Sequence, residues 1–330
     1  MLNLNIYYDK DYWLQHRKLF NQNIYQSSIF NKYYSYLYKK NKPLNNKFIK
    51  SGPQKLVNNF LIYFNERDDV SFNKEVFENY YFLTFTNKDF FFLEEILKKN
   101  KKVIVGPLYT NNDFLRLVEL VNMYQNLNII SASIFAKNTM IEFSKNMIDE
   151  SRVKILPVGV AYENQIKNNS VSKTERKKCL IYFKGRNNSE LNFVLGKLSK
   201  NNIGYKLFKY GNYDNADLLK YSKQSAFGII IGRTESQGIA INEMMSSNLP
   251  LFVLNSKENN YEGIVYDGST VPFWNNECGI KIDNIDDFEN KFQDFLFQLD
   301  NNIFKPYKFA MKELSFEAME DKMKNIFNSF

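Results

Sequence analysis

Short apolar runs alternate with stretches of helical spacing over the first half of the chain. Residues 2–8 alternate apolar and polar positions, which predicts a strand, and residues 54–65 carry apolar side chains at helical intervals. Three strand–helix pairs and a last strand follow. The predicted strands are YYFLTF, KKVIVGP, LNIISAS and VKILPVGV, and the predicted helices are FFFLEEILKKN, DFLRLVELVNMYQ and FAKNTMIEFSK. This alternation predicts parallel βαβ units in one sheet.

A polar, apolar-poor stretch at 163–178 reads as a linker, after which the alternation starts again. The strands predicted there are CLIYFK, YKLFKYG, FGIIIG and LPLFVL, and the helices are ELNFVLGKLSKN, NADLLKYSKQ, GIAINEMMSSN and IDDFENKFQDFLFQL. Residues 306–330 have helical spacing, with Ser315 as a candidate N-cap. The pattern therefore predicts an α/β chain with two Rossmann-like domains at 1–160 and 161–305, followed by C-terminal helices at 306–330.

The length of 330 residues agrees with two domains, because single hydrophobic cores stop growing at roughly 250–300 residues. Residues 9–50 form an Asn-, Lys- and Tyr-rich insert without a clear pattern. Long irregular insertions are often functional. A tyrosine- and lysine-rich part at 20–42 suits either sugar stacking on the acceptor side or peripheral contact with an anionic membrane.

The net charge of +8 is spread along the chain, which favours an ordinary solvated surface over a nucleic-acid-binding patch. Cys179 and Cys278 lie far apart, so neither a disulfide framework nor a zinc site is indicated, and a reducing compartment is expected. No apolar run has the length of about 18 residues that a membrane span needs. We therefore expect a cytoplasmic protein, soluble or peripherally membrane-associated. His16 is the only histidine, which argues against a histidine-based hydrolase.

The segment at 227–254 contains the most informative chemistry. A buried strand leads into a loop with Glu235, a helix starts after Gly238, and Glu243 lies two turns into that helix. A helix N-terminus suits a diphosphate, and glycine lets a ligand approach the backbone closely. A carboxylate can accept hydrogen bonds from sugar hydroxyls, as in dinucleotide sites. Because ligands of doubly wound sheets bind at the carboxyl ends of strands, these residues are expected to line a site.

This segment resembles the E-x7-E pattern of retaining GT-B glycosyltransferases, especially family 4. TESQGIAINEMMSSNLPLF keeps both glutamates, the glycine, the Glu-Met pair and the proline in register, while Ser236, Gln237 and Asn248 depart from the family pattern. A P-x-G-V turn at 157–160 and Ser315-Phe316-Glu317 resemble further family features. The resemblance covers most of residues 51–330. It implies two Rossmann-like domains that face each other across a cleft, with the C-terminal helices at 306–330 returning to the first domain.

The resemblance also implies a set of site residues. Glu235 would position the donor sugar and Glu243 the ribose, while Lys184 and Arg186 would neutralise the diphosphate. The order of the two cations is reversed relative to the family, which leaves open which cation does which work. Further candidates for donor binding are Ser236, Gln237, Gly238, Ile239, Thr234, Arg233, Tyr210, Gly211 and Gly52.

The activity implied is transfer of a sugar from a UDP- or GDP-sugar to a hydroxyl of a glycan, lipid or other acceptor, in glycan or polysaccharide synthesis. Retention at the anomeric carbon and independence from metals and cofactors belong to the same expectation. Two alternatives stay open, namely a nucleotide-sugar epimerase of GT-B fold and a non-catalytic scaffold of that fold. Only release of the nucleotide in the presence of an acceptor would separate transfer from both.

Overall fold

The computed structural model describes residues 1–9, 36–37, 40–43, 52–160, 178–261 and 263–330. Two compact units make up the chain: unit 1 comprises Met1–Pro157 and Met319–Phe330, and unit 2 comprises Val158–Ala318. Residues 306–318, which the sequence analysis assigned to the returning helices, therefore group with unit 2. The predicted insert at 9–50 and linker at 163–178 lie almost entirely outside the described residues, as does His16.

Unit 1 is built on a six-stranded parallel sheet with helices between its strands. Its elements are β1 (Leu4–Tyr7), α1 (Gly52–Phe64), β2 (Val70–Phe72), β3 (Asn79–Thr84), α2 (Phe90–Lys98), β4 (Lys102–Leu108), α3 (Asn111–Met123), β5 (Leu127–Ser131), α4 (Ile134–Phe143) and β6 (Val153–Ile155). The strand order is β2-β1-β3-β4-β5-β6, and every pair is parallel. The predicted parallel α/β architecture of the first half is confirmed.

The central strands of unit 1 are apolar because helices cover the sheet. Val103, Ile104 and Val105 in β4 are fully buried. Local signals set where helices begin: Thr110 caps α3, where its hydroxyl accepts from the backbone N–H of Asp113 and the Asp113 carboxylate bonds back to Thr110. Such caps place the polar loops at the carboxyl ends of the strands.

Unit 2 contains a five-stranded parallel sheet and a separate hairpin. Its elements are β7 (Lys178–Lys184), α5 (Asn188–Lys200), β8 (Gly204–Lys209), α6 (Asn215–Gln224), β9 (Phe227–Gly232), α7 (Ile239–Ser246), β10 (Leu251–Leu254), β11 (Glu258–Tyr261), β12 (Ile264–Asp267), β13 (Gly279–Ile282), α8 (Phe288–Asp300), α9 (Pro306–Leu314) and α10 (Phe316–Asn328), the last of which runs on into unit 1. The sheet order is β13-β10-β9-β7-β8, and β11 pairs with β12 in antiparallel fashion.

Alternate residues of the unit 2 strands supply two apolar layers, one on each face of the sheet. Leu180 and Ile230 belong to the layer that also contains Met244 of α7. Ile181 and Ile229 belong to the opposite layer, which packs on the phenylalanines of α8. Because both faces are covered, β7 and β9 are held in the middle of the unit, and their carboxyl ends are fixed in position.

Four strands depart from the sequence-based expectation. The sequence analysis assigned nothing to β2, to the β11–β12 hairpin or to β13. The helices expected at 306–330 are α9 and α10, and the predicted N-cap at Ser315 is confirmed, since its hydroxyl accepts from the backbone N–H of Ala318 at 3.1 Å. Ser315 is extended, with φ −68° and ψ 166°, so it both ends α9 and caps α10.

The end of α10 belongs to unit 1 and is fastened there by charge. Arg67 follows α1 and forms ion pairs with Glu320 and with Asp69. Tyr63 donates a hydrogen bond to Glu320 at 2.8 Å, and Lys324 lies at 2.8 Å from the same carboxylate. Burial alone would raise the pKa of Glu320, but Arg67, Lys324 and Tyr63 outweigh it and lower that pKa to about 2.

Candidate functional site

The two central strands of unit 2 bring Lys184 and Glu235 to one edge of the sheet. Lys184 is the last residue of β7 and pairs in register with Gly232, the last residue of β9. Glu235 follows three residues later, where its backbone N–H donates to Ser269 O at 2.9 Å. Parallel neighbours end at the same edge, so two residues that are 51 positions apart in sequence become adjacent.

Lys184 and Glu235 form a bidentate ion pair. The Lys184 Nζ lies 2.7 Å from Glu235 Oε1 and 2.8 Å from Oε2. The two side chains are 26% and 12% exposed, so water screens the pair only in part. The same ammonium lies 4.4 Å from the ring centroid of Tyr210, within cation–π range. The ring of Tyr210, which the sequence analysis lists as a candidate for donor binding, therefore contacts the lysine.

Burial raises the pKa of Glu235 above its ordinary value, and the ammonium of Lys184 opposes that rise. The two effects have one origin, since a carboxylate withdrawn from water favours either a proton or a nearby cation. If Lys184 moves away, Glu235 has to gain a proton or a new hydrogen-bond donor. Sugar hydroxyls are donors of that kind.

Glu243 lies inside α7, with 6% of its surface exposed. Its charge also acts on Tyr213, whose pKa is raised first by burial and then by Glu243. Tyr182 of β7 shares a hydrogen bond with the Tyr213 hydroxyl, and burial raises the pKa of Tyr182 as well. Two carboxylates and two phenols thus share the same end of the sheet.

The start of α7 takes the form that the sequence predicts. Gly238 is the N-cap with φ 72° and ψ 45°, in the left-handed region that favours glycine. Ile239 is the first helical residue, and Ser236 is exposed in the loop before it. The first N–H groups of any α-helix lack intrahelical acceptors, and they carry a partial positive charge. This end of α7 can therefore accept an anion.

Gln237 is turned into the protein, with only 4% of its surface exposed. Its Nε2 donates to the backbone carbonyl of Val158 at 2.8 Å, while its buried Oε1 has no hydrogen-bond partner among the described residues. Gln237 was predicted to bind the donor, and its observed contact is instead with the segment that begins unit 2. A ligand hydroxyl reaching Oε1 would satisfy that atom.

Arg186 is paired with an acid of the helix that follows it. Its guanidinium forms a two-point ion pair with Glu190, in the first turn of α5, and Nη1 donates to Asn255 O at 3.4 Å. Glu190 in turn belongs to a capping box with Asn187, and the contact with Arg186 lowers its pKa. The structure therefore brings Lys184 to Glu235 but holds Arg186 on a second acid.

Arg233 approaches the end of β7 from β9. Its backbone N–H donates to Lys184 O at 3.1 Å, and its Nε donates to the carbonyl of Gly185. Gly185 has φ 66°, and a Cβ there would lie 3.1 to 3.3 Å from three atoms of the Arg233 side chain. The arginine stem therefore crosses the bare backbone of this glycine, while the side chain stays exposed.

The remaining predicted residues divide between loops and units. Thr234 packs its methyl group against Gly268, at the base of the hairpin. Gly211 turns the chain after β8 with φ 84°. Gly52 begins α1 in unit 1, whereas all the other predicted site residues lie in unit 2.

Sequence reasoning missed the residues that support the site from the 255–270 loop. The buried Asn255 accepts from the Ser269 hydroxyl at 3.1 Å and from the Thr270 N–H at 2.9 Å. Thr270 in turn donates to Gly232 O at 3.1 Å, next to Arg233. A usable signal was present in Asn255 directly after a buried strand and in the Ser-Thr pair after a glycine, since such residues bond to backbone in turns.

Within the described ranges, no group of three or more His, Cys, Asp or Glu side chains could hold a metal ion. In the same residues, no helix combines the length and the apolar character needed to cross a membrane. The cysteines Cys179 and Cys278 are buried and free, and burial raises the pKa of each thiol to about 12.

No family model matches the chain, and neither does any curated protein. Solved structures do. A variant of TarM from S. aureus, described with UDP, is 14% identical with a TM-score of 0.45, over 82% of this chain and 59% of TarM. The pneumococcal O-GlcNAc transferase GtfA is 12% identical, with a TM-score of 0.46, over 76% of this chain and 56% of GtfA. WaaG, a glycosyltransferase of lipopolysaccharide biosynthesis, is 10% identical with a TM-score of 0.43, over 87% and 98%.

The chain thus spans less than three fifths of the length of the TarM and GtfA structures that it resembles. The likeness lies in the course of the backbone, since at most 14% of residues are identical in these three proteins. What this chain binds and catalyses therefore depends on side chains that differ at most positions from those of these three proteins.

Proposed function

We propose that this protein is a glycosyltransferase of the GT-B class that transfers a sugar from a UDP- or GDP-sugar to an acceptor hydroxyl. The donor would bind at the carboxyl edge of the unit 2 sheet, in front of α7. Ligands of doubly wound α/β sheets bind at this edge.

The observation that carries the proposal is the placement of Lys184, Glu235 and Glu243. A cation and a hydrogen-bond-accepting carboxylate meet at the end of β7 and β9, and a second, buried carboxylate lies on the helix that starts beside them. A nucleotide-sugar presents the matching groups, namely a diphosphate, a sugar polyol and a ribose diol. Lys184 and the start of α7 suit the diphosphate, Glu235 suits the sugar, and Glu243 suits the ribose.

The reaction breaks the bond between the anomeric carbon and the diphosphate oxygen and forms one between that carbon and the acceptor oxygen. Negative charge builds on the departing diphosphate, and Lys184 would stabilise it in a partly dry site. The acceptor proton would pass to a phosphate oxygen of the leaving group. Retention at the anomeric carbon and transfer without a metal are parts of the proposal, since fixed cations can supply the charge that a metal would supply.

The proposal is tested with a panel of UDP- and GDP-sugars and simple sugar or lipid acceptors, with free UDP or GDP as the readout. We expect acceptor-dependent release of one nucleotide by the native protein and a loss of at least about a hundredfold in Glu235→Gln, because transition-state contacts are worth several kcal/mol. Lys220→Gln, an exposed charge change on α6, is the matched control and should retain the native rate.

Other outcomes of the panel contradict transfer. An isomerised sugar without an acceptor product would identify an epimerase. A bound nucleotide-sugar with no product of either kind would leave a binding protein of this fold. The NMR coupling constant at the anomeric carbon of the product would separate retention from inversion.

A further inference from the structure

One cation is too few for a leaving diphosphate. A nucleoside diphosphate released from a sugar carries two to three negative charges, and bidentate arginine contacts are the strongest that a side chain offers to phosphate. Lys184 supplies a single positive charge at the end of β7. Two arginines lie close to it along the chain and across the sheet, Arg186 and Arg233, and their surroundings differ.

Arg186 already has an anionic partner. Glu190 holds its guanidinium at two points, and the pair is an i,i+4 contact in the first turn of α5. To bind phosphate, Arg186 would have to leave Glu190, which also completes the capping box of that helix. The exchange costs one charge-assisted pair for each one gained.

Arg233 has no such competitor. Among the described residues, the Nε is the only side-chain atom of Arg233 with a partner, the carbonyl of Gly185, and Arg233 forms no ion pair with them. Its Nη1 and Nη2 groups are on an exposed side chain and keep their hydrogen-bonding capacity. The Nε bond fixes the plane of the guanidinium without neutralising its charge.

The position of Arg233 is fixed by backbone rather than by other side chains. Its N–H bonds to Lys184 O at 3.1 Å, so the two cations come from directly adjacent strand ends. Gly185, with φ 66°, leaves the space that the arginine stem fills. The same short stretch at Lys184 and Gly185 thus provides one cation and seats the other.

We propose that Arg233, and not Arg186, is the second cation of a diphosphate-binding site whose first cation is Lys184. The inference rests on the proposed function for the identity of the full ligand, but its chemical content is narrower. It requires a diphosphate, and it does not require a particular base or sugar.

Calorimetric titration with inorganic pyrophosphate and with UDP and GDP tests the inference on Arg233→Gln, Arg233→Lys, Arg186→Gln and Lys220→Gln. We expect Arg233→Gln to weaken pyrophosphate binding about 10- to 100-fold, as loss of charge-assisted hydrogen bonds does. The pyrophosphate affinity of Arg233→Lys should lie between those of the native protein and Arg233→Gln, because lysine keeps the charge but not the planar fork. Thermal unfolding of each variant shows whether it is folded.

A phosphate contact also predicts what Arg233→Gln should leave alone. The affinity for the nucleoside without phosphates, uridine or guanosine, should stay within twofold of the native protein. An equal loss for nucleoside and diphosphate would mean that Arg233 merely supports the fold of the site, and the inference would be overturned. The reverse ranking, with Arg186→Gln losing pyrophosphate and Arg233→Gln retaining it, would overturn it too.

The outcomes separate this inference from the proposed function. Pyrophosphate binding that depends on Arg233, with no binding of any nucleotide-sugar, would support the inference and refute glycosyl transfer. Nucleotide-sugar turnover that is unchanged in Arg233→Gln would refute the inference and support glycosyl transfer. A native protein that binds neither pyrophosphate nor nucleotide would refute both.

Discussion

The Lys184 ammonium contacts both oxygens of the Glu235 carboxylate, at 2.7 and 2.8 Å. The cation proposed for the diphosphate and the acid proposed for the sugar therefore contact each other directly. Under the proposed function, a donor would replace each partner, with phosphate oxygens for the lysine and hydroxyls for the glutamate. A free sugar has only the hydroxyls, so we expect the pair to favour donors that carry a diphosphate.

The first prediction concerns the pH dependence of stability in Lys184→Gln. Burial raises the pKa of Glu235 above its ordinary value of 4.5, and loss of the lysine raises it further. A raised carboxyl pKa penalises the native state only where the unfolded state is ionised. The variant should therefore match the native protein near pH 4 and lose about 1–3 kcal/mol by pH 8, as loss of a buried group's partner does. Urea unfolding at several pH values measures this.

The double variant Lys184→Gln/Glu235→Gln is the control for that experiment. It has no carboxylate left to ionise at this site, so the additional loss with rising pH should disappear. A deficit of equal size at every pH in Lys184→Gln would contradict the expected cause and indicate lost packing on Tyr210 instead.

The second prediction separates Glu243 from the phosphate contacts. Glu243→Gln keeps the size of a buried side chain but removes its charge, so we expect about tenfold weaker binding of UDP or GDP and unchanged binding of pyrophosphate. Binding of a 2′-deoxynucleotide to both proteins completes a thermodynamic cycle between the Glu243 carboxylate and the ribose hydroxyl. If Glu243 binds the ribose, the variant should discriminate less between ribose and deoxyribose than the native protein does. Equal discrimination in both proteins would refute the assignment.

The third prediction uses two glycines with similar backbones and different neighbours. Gly185→Ala and Gly263→Ala both place a side chain in the left-handed region, at φ 66° and φ 82°, which costs about 1–2 kcal/mol. Only at Gly185 would the new methyl group press on Arg233. Both variants should be destabilised by similar amounts, while pyrophosphate affinity should fall in Gly185→Ala alone. Calorimetry that shows equal affinities would remove Gly185 from the site.

The fourth prediction concerns acid stability of unit 1. The pKa of Glu320 is lowered to about 2, against 4.5 for an ordinary glutamate. A lowered pKa contributes stability above the unfolded-state value, and this contribution is lost as the pH falls through the native one. Glu320→Gln should thus cost roughly 2–3 kcal/mol at pH 7, and the cost should shrink steadily from pH 5 to pH 2. Unfolding of the exposed variant Glu317→Gln provides the comparison, with a change of a few tenths of a kcal/mol expected.

Much of the fold could be predicted because long apolar runs alternate with helical spacing. The strand Phe227–Gly232 and the helix Asn215–Gln224 agree with the prediction residue for residue. The β13 strand was missed because GIKI offers only four residues at a sheet edge, too few for a periodic signal. The hairpin strands are equally short, and two of their apolar residues, Ile264 and Val265, are more than half exposed.

The residue types of the site could be predicted from the sequence, but the partner of each side chain could not. The local sequence pattern predicts the loop that contains Glu235 and the helix α7 that contains Glu243. The Lys184–Glu235 pair depends on which strands are neighbours, and no local signal gives that. The pairing of Arg186 was different, because Asn187 and Glu190 form a readable capping box and Glu190 is four residues from the arginine. That local signal is enough to predict the pair, whereas the family resemblance assigns Arg186 to the diphosphate.

The bridge between Val160 and Ser315 has a consequence for how the chain is made. It places the first and last segments of unit 2 side by side. Residues 158–318 thus form one continuous insertion between the two parts of unit 1 in the sequence. Arg67 is synthesised before unit 2, and its partner Glu320 is synthesised after it. All strands of unit 2 are therefore synthesised before the end of α10, which belongs to unit 1. The unit that starts first is the one that is completed last.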